Sequence, residues 1–118
     1  MDTRTSIARH WIAGEWRQSA DMAEAESIDP ATGQPVGRFA AGGEREAKDA
    51  IAAARRAFDY SDWAHNPRAR QLVLLAWAAK LQAHGDEIAN LLTRENGKIL
   101  RQAEGEVAAA VSEIRYYA

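Results

Sequence analysis

The 118-residue sequence predicts an α+β arrangement, with short β-hairpins followed by three or four helices. Three observations predict it. Up to about residue 41 the apolar residues come in brief runs and alternations, separated by turn signals such as "AGE" and "DPATG". After Gly42-Gly43 the apolar period changes from about two to about three and a half, and it keeps that value to the end. The composition, 47% hydrophobic and 27% charged, suits a folded domain with one modest core rather than a disordered segment. The expected division is a hairpin region over 1–41 and a helical layer over 42–118.

"HWIAGEWRQ", His10 to Gln18, alternates loosely about Ala13-Gly14-Glu15 and reads as two very short strands joined by a glycine turn. Ser19 to Glu26 is polar and alanine-rich, a connecting loop. "SIDPATGQPVG" then writes a tight turn between a strand near Glu26–Ile28 and a return strand near Val36–Phe39. Asp29 can hydrogen-bond backbone two residues on, Pro30 fixes φ for the first central position, and Gly33 accepts positive φ. A hairpin this small needs something to lean on.

In the first helix Ala47, Ala50, Ile51, Ala54, Ala57 and Phe58 share one face, with Glu44 and Glu46 suiting the dipole at its start. The second begins at Asn66-Pro67, an N-cap residue followed by a first-turn proline. Leu72, Leu75, Ala76, Ala79 and Ala83 line one face of it, and Val73, Leu74, Trp77 and Leu81 broaden that face, so burial on more than one side is expected. Arg68 and Arg70 oppose its dipole and call for tertiary partners. Gly85 interrupts or ends this helix. Ile88, Leu91 and Leu92 continue the series to Glu95, and Gly97 is placed to close it in left-handed geometry. The last helix runs from about Gln102, with Ala103, Val107, Ala110, Val111, Ile114, Tyr117 and Ala118 on its buried face. It meets the end of the sequence in mid-pattern, with no Gly, Asn or Pro to close it, and reads as a chain cut short.

Several function classes are excluded on composition. A net charge of −2 does not provide the basic surface a nucleic acid needs. The longest apolar run, Leu72 to Ala79, is too short to cross a bilayer, and no apolar leader is visible, so a cytoplasmic location is expected. There is no cysteine, hence no disulfide or thiolate chemistry within these residues. His10, His65 and His84 lack metal-ligand spacing and read as surface or partly buried polar groups. No phosphate-binding glycine loop is present, since Gly37, Gly42 and Gly43 fail both known spacings. Glu104, Glu106 and Glu113 read as a solvated helical face, and Lys98 as a helix-terminal charge beside a capping glycine. On residue chemistry alone, nothing here performs a reaction.

In order and spacing, five segments resemble the amino-terminal part of the NAD(P)⁺-dependent aldehyde dehydrogenase superfamily. "WIAGEW" is similar to its opening I-x-G-x-W hairpin. "DPATGQPVG" resembles its N-P-A-T-G-E-x-(I/V)-(G/A) turn, with Asp29 for Asn and Gln34 for Glu. "AIAAARRAF" resembles its first helix, followed by Trp63 and the "NPRAR" approach to the second. "DEIANLLTRENGK" is similar to its (D/E)-E-L-A-x-L-x-(S/T)-x-E-x-G-K segment, although Ile99 stands where the family commonly has Pro. "EGEV…RYYA" resembles the third helix before the oligomerisation strands.

The resemblance implies an α+β fragment of an α/β protein, the N-terminal part of a Rossmann-like cofactor-binding domain whose parallel sheet comes later. It implies oxidation of an aldehyde to a carboxylic acid through a cysteine thiohemiacetal, NAD or NADP as cofactor, and a homo-oligomer for the full-length form. The family's nucleophilic Cys, general-base Glu, oxyanion-hole Asn and ribose-binding Lys and Glu all lie downstream, so no catalytic or cofactor-binding residue is carried over and the chain alone is expected to be inactive. Some members hold a structural monovalent cation, which by alignment would involve the Ile28 carbonyl and the Glu106 side chain; hard cations take such oxygen ligands. Two readings stand beside this one. The chain could be a stand-alone scaffold or binding module associating with a full-length relative, or an independent enzyme whose only suggestive nucleophile is Lys98.

Overall fold

The computed structural model describes residues 7–118. Residues 1–6, part of the stretch read above for a leader, lie outside them. The chain runs β1 (Ile7–Ala8), β2 (His10–Ile12), β3 (Glu15–Arg17), β4 (Glu24–Ile28), β5 (Pro35–Ala40), α1 (Glu44–Tyr60), a 3₁₀ turn (Asp62–Ala64), α2 (Pro67–Ala83), α3 (Gly85–Asn96) and α4 (Leu100–Tyr117). It forms two compact units: residues up to Ile28 with Gly33–Ala64, and Asp29–Thr32 with His65–Ala118. Contact therefore groups α1 with the strands, whereas a division at residue 41 follows the kind of element.

In the strand unit β2 and β3 pair antiparallel around Ala13-Gly14. Both turn residues have positive φ, 56° and 84°, as a two-residue hairpin loop matched to strand twist requires. The register sets Trp11 opposite Trp16, and their rings meet edge to face with centroids 4.8 Å apart. β5 is central in a second sheet of order β1-β5-β4. β4 begins at Glu24 rather than near Glu26, because its outward Glu24 and Glu26 make it look like loop; both carboxylates face Arg38 of β5, at 2.5 and 3.9 Å. Between Ser27 and Ile28 the register slips by one residue on β5, leaving Val36 as the extra residue of a bulge. β1 adds parallel to β5, with Ile7 opposite Arg38. Two residues are too few to show an alternation, so this strand was not legible. Ile12, Val36 and Ala40 are buried here.

α1 forms where expected, but its predicted core face is open. None of its residues is buried, and Ile51 is 70% exposed. β2 reaches only its first turns, around Glu46, Ala47 and Ala50, and no longer element of this unit lies along the rest.

The helical unit has a tighter seam. Asn66 caps α2 by accepting from the Ala69 N–H at 2.9 Å, with Pro67 at the first helical position. Gly97 ends α3 at φ 73°, its N–H on the Thr93 carbonyl. Ala78 of α2, Ala89 of α3, and Ala103 and Val111 of α4 are buried against one another's helices. Alanines at these points let the backbones approach closely. On α4 the inward row is Ala103, Val107, Val111, Ile114 and Ala118; Ala110 and Tyr117, expected inside, face out. On α2 the inward row is Leu74, Ala78 and Leu81. The predicted face, Leu72, Leu75, Ala76, Ala79 and Ala83, is on the far side and exposed. A helix apolar nearly all round offers two candidate faces, and periodicity cannot choose between them.

Candidate functional site

The first group of polar side chains with a shared geometry lies in the strand unit. Ser19, only 2% exposed, donates its hydroxyl to the Ala41 carbonyl at 2.5 Å and lies 3.1 Å from His10 Nε2. The serine has one proton and spends it on Ala41, so Nε2 carries the hydrogen and donates to Ser19. This Ser–His contact is consequently a fastening, not a nucleophile with its base. Beside it the Glu46 carboxylate accepts from the Gly43 N–H and the Ala20 N–H, both at 2.8 Å. Those two backbone donors, the Gly43 bond first, hold the Glu46 carboxyl below the usual carboxylate range, with a smaller push from nearby His10. Sequence reading assigned Glu46 to the helix dipole alone; a glutamate three residues after a helix-capping position was the available signal for the bond back to Gly43.

The other residues singled out from sequence are placed as follows. Lys98 directs its ammonium onto the Glu106 carboxylate, and its N–H onto Asn96 Oδ1 at 3.0 Å. An ammonium held against a carboxylate acts as a positioned cation rather than a nucleophile. Ile28 is the last residue of β4 in the strand unit, and Glu106 lies on α4 in the helical unit. His84 contacts Glu87 at 3.2 Å on an open surface. Among the described residues no three His, Cys, Asp or Glu converge on one point. No helix among them is long and apolar enough to cross a membrane.

Two of the quoted motifs meet in the helical unit. Asp29 Oδ1 accepts from the Ala31 and Thr32 N–H groups at 2.8 and 3.3 Å, which shapes the "DPAT" turn. Pro30 of that turn lies against Gly97, where a Cβ would come 3.0 Å from the proline Cγ. Close approach as well as positive φ therefore demands glycine there. A cleft of about 310 Å³ opens between the α2–α3 corner and α4, lined by Gln82, Asp86, Glu104, Val107, Val111 and Arg115 and crossed by a 2.6 Å bond from Arg115 to Gln82.

Several large apolar side chains are exposed on the helices. The far side of α2 presents Leu72 and Leu75 with three alanines, flanked by Val73 and Trp77; α1 presents Ile51 and Phe58; Tyr116 and Tyr117 stand edge to face at the end of α4.

The comparisons agree with that geometry. The model of the aldehyde dehydrogenase family matches residues 16–118. The mitochondrial succinate-semialdehyde dehydrogenase of Arabidopsis thaliana is 40% identical over 108 residues, which are 91% of this chain and 20% of that protein. The NADP/NAD-dependent aldehyde dehydrogenase PuuC of Escherichia coli is 34% identical, over 100% of this chain and 25% of its own length. Among solved structures, HpcC from Thermus thermophilus superposes with a TM-score of 0.91 at 34% identity, over 98% of this chain and 22% of that one. The chain thus spans a fifth to a quarter of the relatives it matches, and the match is to their amino-terminal portion. With family model, relatives and fold in agreement over nearly its whole length, this chain belongs to the aldehyde dehydrogenase family.

Proposed function

We propose that this chain supplies the amino-terminal layer of an NAD(P)⁺-dependent aldehyde dehydrogenase and performs no chemistry by itself. The observation that carries this is the match of the family model to residues 16–118, across all four helices, β4, β5 and the end of β3. The family reaction oxidises an aldehyde to a carboxylic acid through a cysteine, and this sequence contains no cysteine. Its own residues have another task. Asn66, Gly97 and the alanine seam fix the helices, and the outward apolar sides of α1 and α2 are held ready for the remainder of such a fold.

The test is direct. The purified 118-residue chain is mixed with an aldehyde and either NAD⁺ or NADP⁺, and formation of the reduced nicotinamide is followed by absorbance. The expected rate equals the buffer blank. Turnover above the blank that survives further purification would overturn the purely structural role.

A further inference from the structure

We propose that Asn96 is a spontaneous modification site: its side-chain amide is lost through attack by the Gly97 nitrogen, and the end of α3 holds that reaction in check. The proposal goes beyond the aldehyde dehydrogenase reading and does not depend on it, since every reacting group lies in α3 or the turn after it. The sequence holds three asparagines. Asn66 precedes Pro67, whose nitrogen has no hydrogen to give up. Asn90 is inside α3 and precedes Leu91, whose side chain crowds the approach. Asn96 is the one followed by glycine, where no Cβ stands in the way. It is the last residue of the helix, and Gly97 follows in the left-handed region at φ 73°.

In the reaction the Gly97 nitrogen bonds to Asn96 Cγ and gives up its hydrogen, the Cγ–Nδ2 bond breaks, and ammonia leaves with that hydrogen. The resulting cyclic imide adds water at either carbonyl, giving aspartate, or isoaspartate with the main chain rerouted through Cβ. Nothing is oxidised or reduced. The structure arms one partner and withholds the other. Asn96 Oδ1 accepts from the Lys98 N–H at 3.0 Å, an Asx-type turn that polarises the side-chain carbonyl. The Gly97 N–H is committed to the Thr93 carbonyl at 2.9 Å, the bond that closes the helix. Attack therefore waits until that bond opens, and helix ends open more readily than interiors. Either product then works against closure. A carboxylate at 96, beside Glu95, faces the negative end of the α3 dipole, and isoaspartate lengthens the backbone just before the contact of Gly97 with Pro30.

Peptide mass spectrometry after incubation at neutral pH reads the rate of amide loss at residue 96. The 118-residue chain is compared with a synthetic peptide of residues 91–101, too short to hold a helix. The peptide should react at least about tenfold faster than the chain, and within the chain Asn96 should lead Asn66 and Asn90. Arg94→Gly, at an exposed position in the last turn of α3, should speed the chain about fourfold by weakening the helix end, and should leave the matching peptide unchanged. A chain that reacts as fast as the peptide overturns the proposal. So does amide loss led by another asparagine, or an Arg94→Gly chain no faster than its parent.

Discussion

In the strand unit the segment after β3 is fastened to the start of α1 by oxygen and nitrogen: Ser19 to Ala41, His10 to Ser19, and Glu46 to Gly43 and Ala20. In the helical unit three alanines and a valine from three helices meet with almost no side-chain polarity between them. Among the described residues of both units, no large side chain is fully enclosed. The first makes up for this with directional bonds, which tolerate a change of volume nearby but not the loss of a partner. The second depends on closeness, so it tolerates loss of a hydrogen bond but not an added methylene. The contrast teaches that a small layer can be ordered locally by either device while leaving its broad apolar sides uncovered.

The contrast is open to attack from either side. Ala103→Leu, at the fully buried centre of the helical seam, should cost about 3 kcal/mol in urea melts, whereas Ala109→Leu on the exposed side of α4 should stay within about 0.5 kcal/mol. Equal effects would mean that the seam is loose. Gly97→Ala should cost about 2 kcal/mol, because alanine resists φ 73° and its Cβ meets Pro30. Ser19→Ala should cost about 1–2 kcal/mol by leaving the Ala41 carbonyl without its donor, and an unchanged midpoint would remove the polar fastening from the account. The smallest effect concerns acid. Glu46 has a lowered folded pKa, so the stability it contributes is fully present above the unfolded carboxylate value and is lost as pH falls through the folded one. Glu46→Gln should flatten that acid limb of the urea midpoint against pH and leave the neutral limb nearly parallel to that of the parent chain.

Legibility from sequence followed range. The Asn66-Pro67 start, the Gly97 stop, the Asp29 turn and the Ala13-Gly14 hairpin were read correctly because each is settled within about four residues by backbone chemistry. The parallel pairing of β1 with β5, the early start of β4 and the Ser19 contact with Ala41 were not legible, because their partners are distant in the chain. On α2 the sequence led to an expectation of burial on more than one side, whereas the structure turns inward only the row of Leu74, Ala78 and Leu81, a choice that periodicity could not make. The ion pair of Lys98 with Glu106, eight residues apart across a turn, likewise needed the fold. Family membership was legible through five motifs in register, whereas residue chemistry alone offered no reaction.

The meeting of Pro30 with Gly97 links two turns that lie far apart in the chain. The two positions are coupled: with the ring at 30 gone, a side chain at 97 still bears the strain of positive φ but no longer meets the proline Cγ. Replacement should therefore be conditional, with the double change Pro30→Ala/Gly97→Ala costing less than the two single changes added together. Inheritance would then treat "DPATG" and "NGK" as one unit of change rather than two.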